Sequence, residues 1–558
     1  MSAHPVALLV LTTALLSACS GDSKDGDPPD SDPPDSDLPD SDDPSVCLEH
    51  TLENIDIAVR DGVELSAFVR KPVDPDCTLP TVLLFTPYDK ENTRDLWFTD
   101  DGTQPLFDSK DYAFVVADWR GRFASGGTAG SAAQQGEDGH DLVEWIAEQS
   151  FSDGSVGMIG TSALGGVQFG VAEEKPPHLG AIVPIFASPT DSFEKWNPGG
   201  VLRREYLNGL GVLFGSSEDL FAEHPTDDGA WAYLESLFAP EDVEVPVLHV
   251  HGFFDLDAGH TLQGSTQLTS VVERYQIIGE WHHFSSGGES DWVGDMSEQE
   301  LLWWDAGKVI QHNALAFFDR FLRGVSSEAD DWAAVRYQRG DDWLDSESWP
   351  PAGAEALTFY LGDGSLQGTA PTATDLPFPY DPSDPSPTVG GQTLHFNYEH
   401  GPAYQDEVVG RSDALVFVTD VLTEAIHLAG SISASLQVRT TGTDTHFVLR
   451  LTDVGPDGRH LLLTDGIRRL ALYENLSDLK TITPGDLYTV PIDFTNPQGW
   501  GFEAGHRIGL ILTSSHSERF EKSTNVAGHY IFDETVAQAV TNTVVLGQST
   551  LSLTVQPD

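Results

Sequence analysis

The rhythm of apolar and polar positions changes twice along this chain. Between residues 55 and 68 the two kinds alternate: Ile55, Ile57 and Val59 precede Asp61-Gly62, and Val63, Leu65 and Phe68 follow. A period of two predicts half-buried strands, and Asp-Gly between two such runs predicts a hairpin. Runs that are largely apolar then take over, at 81–85, 113–117, 156–159, 179–186, 245–250 and 275–278. Continuous apolarity predicts strands buried on both faces. Helical spacing separates them. It occurs at 138–147 (Leu142, Val143, Trp145, Ile146), at 167–174, and at 301–322 (Trp303, Trp304, Ala314, Phe317, Phe318, Phe321), where Gly324 stops it. Strands alternating with helices predict a largely parallel sheet with helices on both faces.

Residues 190–242 break this order. They mix Leu, Phe and Trp with scattered Glu and Gly, and read as short helices inserted as a cap. After Trp349 the helical signal nearly disappears. Short strand-like runs at 357–361, 393–396, 415–419, 426–438, 445–451, 507–513 and 543–551 alternate with turn residues, which predicts an all-β sandwich or jelly roll. The short link at 330–349 implies that this domain packs against the first. The expected organisation is a leader at 1–19, a tether at 20–46, an α/β domain at 47–345 with its cap at about 190–242, and a β domain at 346–558.

The first 46 residues follow neither rhythm. Val6 to Leu16 is uncharged and apolar, too short to span a bilayer but suited to the core of a signal peptide. It runs into Leu16-Ser17-Ala18-Cys19, which resembles a bacterial lipobox, although no Lys or Arg precedes it. An ordinary signal cleaved near Ala18 is the alternative. Residues 20–46 carry ten Asp and one Lys, with Pro and Ser between them. Such a segment buries too little to fold and stays extended. The expectation is an exported protein tethered to a cell envelope through lipid on Cys19, with no other membrane contact.

The whole chain of 558 residues has a net charge of −59, of which residues 20–46 account for −9, leaving −50 on the rest. Charge of this sign repels phosphate and argues against nucleic-acid partners. Of three cysteines, Cys47 and Cys77 remain once Cys19 is set aside, and in an exported protein an even remainder suggests a disulfide. No Cys or His spacing of metal-binding type occurs.

The chemistry is concentrated at the ends of the apolar strands. Gly160-Thr161-Ser162-Ala163-Leu164-Gly165-Gly166 places a serine among small residues between a strand and a helix, the layout of a nucleophile elbow. A serine needs a base and an acid to become nucleophilic. The acid is expected just past the strand at 245–250, in His251-Gly252-Phe253-Phe254-Asp255, with Asp257 as competitor. The base is expected in Gly279-Glu280-Trp281-His282-His283, where chemistry does not separate His282 from His283; His260 is a weaker rival. An oxyanion needs two donors. The Ala163 N–H is one, and the hydroxyl of Tyr88, in Thr86-Pro87-Tyr88-Asp89-Lys90, is a candidate for the other. Arg120 reads as structural support, paired with Asp118 or with a backbone carbonyl near the site.

Together these segments resemble the cocaine-esterase and Xaa-Pro dipeptidyl-peptidase family of serine hydrolases. The likeness lies in Tyr88 and its neighbours, in Asp118 to Gly126, and in the segments around Ser162, Asp255 and His283. In the last part of the chain it lies in Tyr380-Asp381-Pro382, Leu451-Thr452-Asp453-Val454 and Gly505-His506-Arg507. The resemblance implies an α/β-hydrolase fold with an inserted cap and a C-terminal jelly roll, and it favours His283 over His282. It also implies an acyl-enzyme route needing neither metal nor organic cofactor. The substrate it implies is a small-molecule or peptide ester or amide, in a compact esterase or acylase, with a dipeptidyl-peptidase as the alternative. Where the family has Tyr, Trp-Tyr and Pro, this chain has Ala163, Phe253-Phe254 and Glu280. Glu280 is expected either to raise the histidine's pKa or to meet a cationic substrate group. A non-enzymatic surface protein that binds glycan or a partner through the jelly roll is the rival from another class.

Overall fold

Ten strands form one sheet in the order β1-β2-β4-β3-β5-β6-β7-β8-β9-β10. Their ranges are β1 His50–Ala58, β2 Glu64–Pro72, β3 Leu79–Thr86, β4 Ala113–Asp118, β5 Ser152–Thr161, β6 Leu179–Ile185, β7 Val247–Gly252, β8 Arg274–Gly279, β9 Val335–Arg339 and β10 Asp342–Ser346. This computed structural model describes residues 47, 49–98, 104–214, 218–285, 306–394 and 398–557. The expected leader, tether and Cys19 lie outside the described residues, as do 301–305 of the expected long helix and 395–396 of an expected strand.

From β4 to β9 every neighbouring pair is parallel, while β1, β2 and β10 join antiparallel at the edges. Both faces are buried, which explains the apolar runs. Leu83 and Phe85 of β3 pack with Leu142 and Ile146 of α2 (Ala132–Ala147) and Phe169 of α3 (Ala163–Glu173). Val82 and Leu84 pack on the opposite face with Ile310, Phe317 and Phe318 of the long helix Ala306–Phe321. The stretch expected to be a short link instead holds β9 and β10, a hairpin that extends this sheet. Cys47 and Cys77 are joined as a disulfide, with Cα atoms 6.1 Å apart, beside the sheet's outer hairpin.

The cap consists of short helices, including Phe193–Trp196, Arg204–Phe214, Glu218–Glu223 and Gly229–Glu235, around a small core of Phe193, Leu202, Leu207, Phe221 and Trp231. In the second domain every pair of neighbouring strands is antiparallel. One sheet carries β11 (Glu355–Leu361), β12 (Leu366–Gln367), β13 (Thr374–Tyr380), β15 (Ile426–Thr440), β18 (Tyr488–Asp493), β19 (Gln498–Phe502), β21 (Val540–Leu546) and β22 (Thr550–Gln556). The other runs β14-β20-β16-β17, from Leu415–Val418, Arg507–Thr513, His446–Val454 and His460–Arg469. Their inner faces meet in a core that includes Leu436, Phe447, Leu449 and Leu510. Two expected strands differ. Residues 543–551 span two strands, β21 and β22, which lie on either side of β15. Thr393 and Leu394 are not in a strand.

The two domains share their packing. Phe254, in the loop after β7, belongs to the core of the sandwich, and Phe253 packs on Trp349 with ring centroids 5.3 Å apart. The cap lies against β17, where a Cβ on Gly199 (φ +58) would sit 1.8 Å from the Ile467 carbonyl oxygen, so only glycine fits.

Candidate active site

Ser162 occupies the turn between β5 and α3 with φ 60 and ψ −120, a conformation an L-residue adopts only when its surroundings impose it. Its N–H donates to the Ile185 carbonyl at 2.9 Å, and its own carbonyl accepts from Gly165 and Gly166. A Cβ on Gly160 would come within 2.4 Å of the Leu164 Cβ, so the tight elbow depends on a small residue there. The side chain projects at the carboxyl ends of the parallel strands, where open α/β sheets keep their sites.

His283 follows β8 and bridges the other two expected groups. Its Nε2 lies 3.0 Å from Ser162 Oγ and its Nδ1 lies 2.6 Å from Asp255 Oδ1. With a carboxylate opposite, Nδ1 carries the proton and Nε2 is left to accept from the serine hydroxyl. The Asp255 side chain is 2% exposed and that of His283 is 11% exposed. Little water competes with either bond.

The hydroxyl of Tyr88 is 3.5 Å from Ser162 Oγ and lies beside the Ala163 N–H. Burial raises the Tyr88 pKa, outweighing the opposing pull of Ser162 and Ala163, so the group stays a donor at any working pH. Its loop is held by Asp118, whose Oδ1 accepts the Lys90 N–H at 2.7 Å. Burial pushes the Asp118 carboxyl up to about 6.

The rivals are engaged by other partners. Asp257 is ion-paired with Arg203. The His282 Nδ1 accepts the Phe284 N–H at 3.2 Å, and burial lowers that ring to about 3. His260 bonds the Thr190 carbonyl at 3.1 Å. Two expected partners also differ. Arg120 pairs with Asp138 at 2.5 Å and Asp61 at 2.6 Å, tying α2 to the outer hairpin, and not with Asp118. Glu280 turns away from His283: its Oε1 accepts the Gly340 N–H at 2.7 Å, and burial pushes its carboxyl up to about 7. It reaches neither the histidine nor a substrate, because the β9–β10 turn needs an acceptor at that point.

Several residues of the site carry no local signal in the sequence. Asn496 donates to the carbonyls of Asp255 (2.5 Å) and Phe253 (3.2 Å), and Gln498 donates to that of Phe253 at 3.1 Å. Both amides come from the second domain and are fully buried. A chain of buried alternating charges runs from the same domain: Asp465 to Arg519 (2.9 Å), Arg519 to Glu205 (3.5 Å), Glu205 to Arg203 (3.4 Å), and Arg203 to Asp257. It joins sandwich, cap and acid loop. A cavity of about 510 Å³ adjoins Ser162. Its walls are mainly apolar, with Leu96, Trp97, Leu210, Leu213, Phe214 and Phe284 among them. Among the described residues no cluster of His, Cys, Asp and Glu is arranged to hold a metal ion.

Residues 61–216 match the X-Pro dipeptidyl-peptidase (S15) family, and residues 327–556 match the X-Pro dipeptidyl-peptidase C-terminal non-catalytic domain. A cocaine esterase from Rhodococcus sp. is 30% identical over 542 residues, covering 85% of this chain and 92% of that protein. An α-amino acid ester hydrolase superposes with a TM-score of 0.77 at 21% identity, over 91% of this chain and 97% of the other. An aminopeptidase from a marine-sediment Thaumarchaeota archaeon superposes equally well, with a TM-score of 0.77 at 21% identity, over 94% and 99%. On this evidence the chain belongs to the cocaine-esterase and X-Pro dipeptidyl-peptidase (S15) family of serine hydrolases.

Proposed function

We propose that the protein is an exported esterase or acylase that cleaves a small-molecule ester or amide through an acyl-enzyme on Ser162. The observation that carries this reading is the placement of His283 between Ser162 Oγ and Asp255 Oδ1, at 3.0 and 2.6 Å. Ser162 attacks the substrate carbonyl while His283 Nε2 takes its proton. Asp255 holds the ring and offsets the positive charge that forms on it. The carbonyl oxygen, now negative, accepts hydrogen bonds from the Ala163 N–H and the Tyr88 hydroxyl. Collapse of the intermediate passes the proton from His283 to the leaving group. Water then enters by the same route and releases the acid.

The apolar cavity and the likeness to cocaine esterase over 92% of its length support the ester or acyl substrate. An exopeptidase needs a carboxylate free to take the substrate's terminal amine. Among the described residues the carboxylate that lines the cavity is Asp257, and it is instead engaged by Arg203. A fluorophosphonate probe tests the chemistry: it should label the wild type and not Ser162→Ala. Assays with p-nitrophenyl esters and with Gly-Pro-p-nitroanilide test the class, and turnover of the anilide alone would replace the esterase reading with the dipeptidyl-peptidase.

Cys19 is the proposed lipid anchor, and the Asp/Pro/Ser segment behind it is the tether to a cell envelope. A Cys19→Ser variant should leave the membrane fraction; one that stays there contradicts the anchor.

A further inference from the structure

The chain at the end of β6, Ile185-Phe186-Ala187, touches both the nucleophile and the base. Ile185 accepts the Ser162 N–H on its carbonyl at 2.9 Å. Phe186 lays its ring against the His283 imidazole, with centroids 6.2 Å apart and planes at 37°. Hydrogen bonds to Ser162 and Asp255 hold the imidazole at two points of its rim. They leave its tilt open, and packing against its face closes it. The Phe186 ring is itself wedged in place. It meets Trp281 edge-on at 6.4 Å, and a Cβ on Gly252 would lie 3.2 Å from its Cε1.

Phe186 has φ +50, in the left-handed region, where a bulky side chain persists only when its surroundings impose it. Three contacts impose it here. The Phe186 N–H donates to the Val250 carbonyl of β7 at 3.0 Å. Gly165 of α3 lies flush with the turn: a Cβ there would come within 2.8 Å of the Ala187 Cβ and 3.0 Å of the Ile185 oxygen. The third contact is a histidine the mechanism does not use. His249 of β7 is 0% exposed, and its Nε2 lies 2.7 Å from the Ala187 carbonyl oxygen. A carbonyl only accepts, so Nε2 carries the proton and Nδ1 is left to accept from the Ser265 hydroxyl at 2.6 Å. Phe169 of α3 and His251 clamp the His249 ring, with centroids 5.4 and 4.1 Å away. Burial lowers the His249 pKa to about 4, so the ring is a neutral donor at neutral pH.

We infer that His249 is a positioning residue for the reaction: by holding the Ala187 carbonyl it fixes the strained turn, and the turn sets the Phe186 ring that orients His283 toward Ser162. His249 is not among the described residues that line the cavity, so its effect reaches the chemistry through Phe186 and not through contact with substrate. This rests on the reading of His283 as the base.

Kinetics with a p-nitrophenyl ester on His249→Met, His249→Gln and Phe186→Leu test it. Expressing kcat per site titrated by a fluorophosphonate keeps unfolded molecules out of the count. His249→Met, which lacks the donor, should lower kcat about tenfold or more with KM within about twofold. His249→Gln, which offers an amide N–H at similar reach, should restore most of the loss. Because both residues act through one ring, the double variant of His249→Met and Phe186→Leu should lose no more than the worse single variant. Losses that multiply overturn the inference, as does full kcat in His249→Met, which would leave His249 serving the fold alone. Should His249→Met yield no titratable protein, Phe186→Leu decides: a fall in kcat supports the inference and an unchanged kcat overturns it. Labelling of the wild type separates the two failures. A wild type that labels, with variants at full kcat, loses only this inference; one that does not label loses the underlying reading too.

Discussion

Ser162 is held by its own sheet, whereas Asp255 is held largely by the second domain. The serine's backbone bonds go to β6 and α3, and its tight turn depends on Gly160, whose nearest neighbours are atoms of Leu164 in α3. The acid loop has no such independence. Phe254 is buried in the sandwich core, Phe253 packs on Trp349, and Asn496 and Gln498 hold the loop's carbonyls. The cap then ties Asp257 to Asp465 of the sandwich through Arg203, Glu205 and Arg519. The comparison teaches that a domain contributing no reacting group still determines where the acid stands. A nucleophile needs a local strained turn, but an acid that must align a histidine needs a rigid loop, and burial against another domain supplies it.

The largest expected effect separates two acids on that loop. Asp255→Asn should lower kcat by about 10⁴-fold with little change in melting temperature, since the histidine loses its orienting carboxylate. Asp257→Asn should show the reverse pattern. It breaks a buried pair and costs about 3–5 kcal/mol of stability, while kcat stays within about tenfold, roughly 1.4 kcal/mol in barrier. Steady-state kinetics and urea unfolding on both variants check this; matching profiles would erase the distinction between the two acids.

Next in size is Tyr88→Phe, which tests the half of the site built by the first domain. Loss of one oxyanion donor should lower kcat by about 10²–10³-fold. Asn496→Ala tests the other half from the second domain. Freeing the Asp255 and Phe253 carbonyls should lower kcat about tenfold through a displaced acid, with KM for a p-nitrophenyl ester nearly unmoved. An unchanged kcat would mean that the loop holds itself.

The smallest effect concerns pH. The Glu280 carboxyl is raised by burial from 4.5 to about 7 in the folded protein. The fold therefore holds the proton more tightly than the unfolded chain does. The associated stability is fully present below about pH 4.5 and is lost as pH rises through about 7. Urea unfolding at pH 5 and pH 8 should show wild type losing up to about 2–3 kcal/mol relative to Glu280→Gln over that interval. The variant keeps an acceptor for Gly340, so a gap between the two proteins that does not change with pH would place the titration elsewhere.

Much of this molecule was legible in the sequence because the relevant signals are local. Strands buried on both faces must be apolar throughout, so β3 to β8 stood out, and the elbow around Ser162 is a contiguous pattern. The order of Ser162, Asp255 and His283 pointed to the groups that the structure brings within 3.0 Å of one another in sequence along the relay. What escaped depends on contacts between distant residues. Arg120 faces Asp61 and Asp138 because of how α2 crosses the outer hairpin, and no spacing reveals that. Glu280 departs from expectation because the turn it serves, at Gly340, lies in a stretch without helical or strongly apolar pattern. Asn496 reaches Asp255 across 241 residues, and an amide in a turn looks the same whether it meets solvent or a catalytic loop.

The relay itself is tested most directly by trapping the covalent intermediate. Acid quench of the wild type during turnover of a p-nitrophenyl ester, followed by peptide mass spectrometry, should find the acyl group on the peptide containing Ser162. The adduct should be absent from Ser162→Ala and strongly slowed to form in His283→Ala. An acyl group on any other residue, or equal formation without His283, would contradict the account.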